Sequence, residues 1–219
     1  AVDPAFYAGW AGELVACEND AAAMHRIAGD LDYRHRDVLL TARATREHVV
    51  AAIKSTAKAM KSGDIFLLTY SGHGGQSPDA ANGDESDRID ETWCLYDDML
   101  IDDELYALWT LFPKDSRIVV VSDSCHSGSV MRMRPPTIDT MATPRDSMPA
   151  APRIKSIPLH VASAVWRRNR ASFEAREKRA GIVEKEENIA STVRLLSGCQ
   201  DDQFSYDGLL NGAFTDMLL

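Results

Sequence analysis

The sequence predicts an α/β fold in which a mostly parallel central sheet is covered by helices on both faces. Three observations carry that prediction. The apolar runs Ile65–Leu68 and Ile118–Val121 lack polar alternation, the pattern of strands buried on both faces of a parallel sheet. Helix-periodic segments separate the strands, as crossover connections between parallel strands require. Each run then opens directly into a polar motif flanked by glycine. In open parallel sheets, ligands bind beyond the carboxyl ends of the strands.

The elements follow in order. Residues 20–31 place Ala23, Ile27, Ala28 and Leu31 at helical spacing, with Asn19 or Asp20 as the cap. Arg36–Leu40 reads as a short strand. Thr45 opens a helix with Val49, Val50, Ile53, Ala57 and Met60 on one face and Gly63 as its stop. Asp64–Tyr70 is a strand that runs into Ser71-Gly72-His73-Gly74-Gly75. Residues 77–90 are a polar, Asp-rich loop. Thr92–Tyr96 is a strand, and Asp102 or Asp103 caps a helix through Leu111. Arg117–Val121 is the second buried strand, and it leads into Ser122-Asp123-Ser124-Cys125-His126-Ser127-Gly128. Residues 131–158 are rich in proline and have no periodicity, as in a loop or linker. Residues 165–187 are highly charged and partly helical. Thr192–Ser197 returns as a strand and Gly212–Leu219 as a helix. This divides the chain into a body (1–130), a basic, proline-containing linker (131–187) and the start of a smaller region (188–219). We expect the fold to continue past both ends.

Composition excludes several classes. The net charge of −9 weighs against nucleic-acid binding. No apolar stretch approaches the roughly 20 residues of a membrane span, and no secretory-leader pattern is present. The four cysteines, Cys17, Cys94, Cys125 and Cys199, form no CxxC pair, which argues against zinc and against a disulfide framework. A reducing, cytoplasmic setting is the expectation.

The two motifs carry the chemistry. A cysteine nucleophile needs a thiolate, a nearby imidazole, and N–H donors aimed at the developing oxyanion. Cys125 lies at a strand end before a tight Ser-Gly turn, and His73 sits between glycines that allow close backbone approach. The backbone N–H groups of Gly74 and Cys125 are the candidate oxyanion donors. His126 competes for the role of base, but a residue adjacent to Cys125 should point its side chain elsewhere. Cys17, Cys94 and Cys199 read as structural, and Cys17, near a helix start, is the one to watch.

Tyr70-Ser71-Gly72-His73-Gly74 followed by Asp123-Ser124-Cys125-His126-Ser127-Gly128 resembles the paired motif of metacaspases and bacterial orthocaspases. Cys17-Glu18-Asn19-Asp20 and the stretch from Leu196 to Gln203 extend the likeness over most of the chain. His73 lies 52 residues before Cys125, close to the spacing found in caspases. The resemblance implies a caspase-like fold and a cysteine endopeptidase that cleaves after Arg or Lys. It implies a cationic-residue pocket built from Asp20, Asp123 and Ser71. An Asp-specific enzyme would need cations there, and none lies at those positions. No cofactor is implied as essential. An activating calcium ion would fall on Asp90, Asp102 and Asp103, within an Asp-rich stretch suited to a hard cation, although Arg132 stands where a fourth ligand belongs. The family leads us to expect a monomer acting on protein or peptide substrates, with no nucleic-acid or membrane partner. It also leads us to expect self-cleavage in the basic linker, with the Lys178-Arg179-Ala180-Gly181 step as the best site. The competing reading is a catalytically idle scaffold that signals by binding.

Overall fold

The computed structural model describes residues 1–78, 89–125, 153–186, 188–198, 205–208 and 210–219. Helix α1 spans Cys17–Asp30 and α2 spans Arg46–Ala59. Strand β1 is Ile65–Ser71, followed by β2 (Gly74–Pro78), β3 (Ile89–Cys94) and β4 (Met99–Ile101). Helix α3 (Asp102–Trp109) leads to β5 (Arg117–Asp123). The short β6 (Arg153–Ile154) precedes the long α4 (Leu159–Glu186), and β7 (Thr192–Ser197), β8 (Tyr206–Asp207) and α5 (Ala213–Leu218) complete the chain.

The central sheet is parallel, in the order β1-β5-β7, as the apolar runs predict. Strand periodicity assigns its two faces. Phe66, Leu68, Ile118 and Val120 point to one core, shared with Val49, Ile53 and Ala57 of α2 and Leu108 and Trp109 of α3. Thr69, Ser71, Val121 and Asp123 point the other way, toward Asp20 and Met24 of α1. A second, antiparallel sheet, β2-β3-β4, leans on a separate core. There Val2 and Tyr7 meet Cys94, Met99 and Ile101, and α4 contributes Val161, Val165 and Phe173.

Several expectations change. Arg36–Leu40 forms no strand; it is largely exposed chain ahead of a 3-10 turn at Thr41–Arg43, and it has no ladder partner among the described residues. Helix α1 starts earlier than its apolar periodicity indicates, so neither Asn19 nor Asp20 caps it. The N-cap position is Ala16, and the Asp207 carboxylate takes the N–H groups of Val15 (2.6 Å) and Ala16 (3.0 Å) instead. A remote carboxylate thus does the work of a local cap. Asp102 and Asp103 are the first helical residues of α3 rather than its caps, and the N-cap position is Ile101. The charged stretch expected to be partly helical is one continuous helix, and it passes through Gly181 without stopping. Its inward stripe carries it: Val161, Val165, Phe173 and Ala180 are buried, while Arg167, Arg168, Arg170, Lys178 and Arg179 lie at the surface. Arg176 lies inside that stripe. It donates to Met99 O (3.1 Å), Asp98 (3.2 Å) and Glu104 (3.3 Å) while lying over the Phe173 ring. No helix among the described residues is long and apolar enough to cross a membrane.

Candidate active site

The register of the parallel pair builds the site. Ser71 lies opposite Asp123, so the chains leave adjacent strands side by side. Two residues further on, one chain presents His73 and the other Cys125. The turn after β1 is tied to β5 by the N–H of Gly72, which donates to Asp123 O (3.3 Å). Position 74 admits only glycine, because a Cβ there would run into the carbonyl oxygen of Cys125.

His73 is buried at 5% exposure against the Trp10 ring, with ring centroids 4.6 Å apart. Its Nε2 contacts Gly12 O at 3.0 Å, which makes Nε2 the protonated nitrogen of a neutral ring, since a carbonyl can only accept. Nδ1 is buried with no hydrogen-bond partner among the described residues. It is therefore the nitrogen available to exchange a proton with a bound group. Burial lowers the His73 pKa to about 4, and the nearby Lys155 charge adds to this, against the opposing pull of the Gly12 carbonyl. The unfolded chain thus binds the proton that the folded chain refuses between about pH 6.5 and 4. Stability is fully present above that window and is lost as the pH falls through it, by about 3 kcal/mol. Asp102, which burial pushes up to about 6, acts with the opposite sign. The measurement is therefore a comparison of wild type and His73→Asn by denaturant unfolding, in which that contribution cancels. The wild type should lose stability relative to the variant on acidification, and parallel pH curves would refute this.

Cys125 is fully buried, and its Sγ sits against the backbone of Ser205, donating to the carbonyl (3.2 Å) and accepting from the N–H (2.8 Å). The N–H groups of Gly74 and Cys125, the two candidate oxyanion donors, converge on a single atom. Each donates to the carbonyl oxygen of Lys155 at 3.0 Å. Lys155 comes from the stretch that reads as linker, and it arrives in extended form: β6 pairs antiparallel with β8, and Lys155 N donates to Ser205 O (3.0 Å).

The Lys155 side chain fills the predicted pocket. Its Nζ lies 3.0 Å from Asp20 and 2.9 Å from Asp123, and it donates to Ser71 Oγ at 2.9 Å. All four side chains are buried or nearly so. Burial works against the ammonium, but Cys17, Asp123 and Asp20 outweigh it and hold the Lys155 pKa above its ordinary value. The carboxylates are further satisfied. Asp20 accepts from Ser71 Oγ (2.7 Å) and Gly212 N (2.8 Å); Asp123 accepts from Thr215 Oγ1 (2.9 Å) and Ser205 Oγ. A Cβ at Gly212 would press on Lys155 Nζ and Asp123, so a larger residue there would disturb the seated ammonium.

The structure thus brings together Cys125, His73, Gly74, Asp20, Asp123 and Ser71. Cys17 borders the same pocket, and burial raises its thiol pKa, which makes it a poor nucleophile. Cys94 is inert by the same cause, with its thiol pushed up to about 12. His126 and Cys199 lie outside the described residues. The step after Arg179 lies within α4 next to buried Ala180, in helical backbone that cannot lie extended in a cleft. Sequence reasoning missed Gly12, Ser205, Gly212 and Thr215, and it counted Lys155 only among the linker cations. One local signal was present: Arg153-Ile154-Lys155 alternates polar and apolar residues shortly before Pro158 and a helix.

Comparison with known proteins places this arrangement. A family model described as "Metacaspase, peptidase C14 domain" matches residues 6–134. The chain belongs to the metacaspase family. Metacaspase-1 of Mycosarcoma maydis is 30% identical over 236 aligned residues, covering 95% of this chain and 57% of that protein. Metacaspase-7 of Arabidopsis thaliana is 30% identical over 57% of this chain and 33% of its own length. A crystal structure of a Geobacter sulfurreducens protein superposes with a TM-score of 0.82 at 44% identity, covering all of this chain and 76% of that one. This metacaspase chain therefore has a caspase-like α/β fold and falls in a family of cysteine peptidases. It spans about half the length of the curated metacaspases it matches.

Proposed function

We propose that this metacaspase is a cysteine endopeptidase that cleaves after Lys or Arg, and that its own Lys155–Ser156 bond is one of its substrates. The observation that carries the reading is the seating of Lys155. Its ammonium lies between two buried carboxylates while its carbonyl oxygen accepts from Gly74 and Cys125, the pose a substrate residue would take before attack. Two carboxylates and a hydroxyl around one cation select Lys or Arg through charge-assisted hydrogen bonds.

In the proposed reaction the Cys125 thiol gives its proton to His73 Nδ1, and Sγ attacks the carbonyl carbon. The oxyanion is held by the N–H groups of Gly74 and Cys125. Collapse breaks the C–N bond, and His73 delivers the proton to the leaving amine. Water then attacks the thioester, and the acid product leaves with Cys125 regenerated. The Gly12 carbonyl keeps the ring oriented throughout, with Nδ1 facing the reaction.

The test is hydrolysis of peptide amides carrying Arg, Lys, Asp or a neutral residue before the scissile bond. Arg and Lys should be cleaved and Asp refused; no turnover of any, together with no labelling of Cys125 by an Arg-bearing thiol reagent, would favour an idle scaffold. Asp123→Ala should raise KM for Arg substrates by a factor of tens to thousands, since losing one partner of a desolvated ion pair costs about 2–5 kcal/mol. Unchanged preference in that variant would remove Asp123 from the pocket.

Calcium is a further proposal. The residues fit it in part. Asp102 opens α3 beside Glu91, and burial holds its carboxyl up to about 6, an electrostatic cost that a cation would relieve. Asp103 follows it, and Asp90 lies one residue before Glu91 in β3. Arg132 lies outside the described residues, and among those described no group of three His, Cys, Asp or Glu residues is arranged to hold a metal. We therefore expect activity to survive in chelator and calcium to stimulate it within about tenfold, or about 1.4 kcal/mol. Complete loss in chelator, restored by calcium alone, would refute this. We propose a reducing, cytoplasmic setting and a monomer, the latter to be checked by size-exclusion chromatography with light scattering.

A further inference from the structure

The bond after Lys155 is gripped from both sides, but unequally. Upstream, the chain is held by the two-residue pairing of β6 with β8, by Lys155 N on Ser205 O, and by the ion pairs in the pocket. Downstream, the grip continues directly into the core. Ser156 bridges to Gly74, and Ile157 N donates to Gly74 O at 2.9 Å. Gly74 thus holds the carbonyl before the bond with its N–H and the amide beyond the bond with its C=O. Ile157 is 3% exposed within the second core. The carbonyl of Pro158 accepts from Val161 (2.9 Å) and Ala162 (3.0 Å), so α4 begins immediately. That helix is anchored by Val161, Val165 and Phe173.

Resting on the peptidase reading above, we propose that Arg153–Pro158 is a tethered inhibitor whose Lys155–Ser156 bond opens and reseals in place. The chemistry balances without an outside reagent. Cys125 Sγ bonds to the Lys155 carbonyl carbon, the bond to Ser156 N breaks, and the amine departs with the proton carried by His73. In reverse, the Ser156 amine attacks the thioester, its proton returns to His73, and sulfur leaves as thiolate. Only hydrolysis makes the cut permanent, and water must then approach where the amine sits. That amine cannot diffuse away, because it is the root of a packed helix. Well-oriented intramolecular reactants reach effective molarities of about 10⁵–10⁸ M, so a retained amine outcompetes water. The leaving half of an external substrate has no such anchor and is lost after each cut. The same site therefore turns over foreign bonds and stalls on its own.

Hydroxylamine tests this, because it competes with the Ser156 amine for the thioester. The purified protein is incubated with and without it, quenched in acid, and read by intact mass, alongside turnover of an Arg peptide amide. The expected result is a partial plateau of cut chain without hydroxylamine, and conversion to completion with it. The fragment ending at Lys155 should then carry a hydroxamate, and Cys125→Ala should give neither product. Complete cleavage without hydroxylamine, yielding only the acid, would overturn the proposal: the amine would be leaving freely. Turnover of the Arg peptide with no cut and no hydroxamate at Lys155 would overturn it too, while leaving the peptidase reading standing. Failure of the external peptide and of the internal bond together would overturn both.

Discussion

Cys125→Ala is expected to abolish peptide-amide hydrolysis, with a loss of about 10⁴–10⁶ in kcat, the scale on which enzymes lose turnover when the nucleophile is removed. It should also leave every molecule intact at Lys155–Ser156. The variant should remain folded. Cys125 is fully buried but small, and its Sγ hydrogen-bonds to the backbone of Ser205. Alanine removes an acceptor from the Ser205 N–H and a donor from its carbonyl, a cost of about 1–3 kcal/mol. The check is kinetic and covalent together: turnover of an Arg peptide amide, and the intact mass of freshly purified wild type and variant. Residual turnover near the wild-type rate would remove Cys125 from the nucleophile's role.

Lys155→Ala has the second largest expected effect, and it reports on stability and activity at once. The ammonium lies between Asp20 and Asp123, all three side chains essentially without solvent contact. Taking away the cation leaves two carboxylates facing each other with no counter-charge. Removing one partner of a buried pair costs about 3–5 kcal/mol. The vacancy has the shape and charge of a cation site, so arginine amide added to the variant should raise its Tm and leave the wild type unchanged, because only a state that binds ligand is stabilised by it. The emptied cleft should also accept external substrate without competition from the internal segment, lowering KM for Arg peptides. Lys155→Arg separates charge from shape. It should retain most of the stability, since a guanidinium can meet both carboxylates. A Lys155→Ala protein as stable as wild type and indifferent to arginine amide would show that the ion pairs contribute nothing to the fold.

The division between what is local and what is global runs through particular residues. His73 and Cys125 were legible as candidates because each follows a buried apolar run closely, His73 between two glycines and Cys125 shortly before a Ser-Gly turn. Gly74 was legible as a candidate oxyanion donor because glycine permits close backbone approach, and in the fold a Cβ there would run into the Cys125 carbonyl. The parallel sheet was legible from Ile65–Leu68 and Ile118–Val121, since strands buried on both faces lose their alternation. Asp20 and Asp123 were legible only through resemblance; nothing in their neighbours shows that two carboxylates 103 positions apart in the chain converge on one cation.

The remainder depended on tertiary structure, and the reason is the same in each case. Gly12 and Ser205 act through backbone carbonyls and N–H groups, which every residue possesses, so their type carries no signal. Asp207 caps α1 from far along the chain, which a search for local caps cannot see. The charged α4 reads as a solvated linker because its buried stripe is narrow and interrupted by Arg176, whose charge is met by Asp98 and Glu104 from other elements. Lys155 is one cation among many in a basic stretch. What distinguishes it is that β8, Gly74 and the root of α4 hold it extended across the cleft, and such distances exist only once the chain has folded. By itself, the sequence determined which side chains are suited to the chemistry; the tertiary structure decided which backbone segment lies beside them.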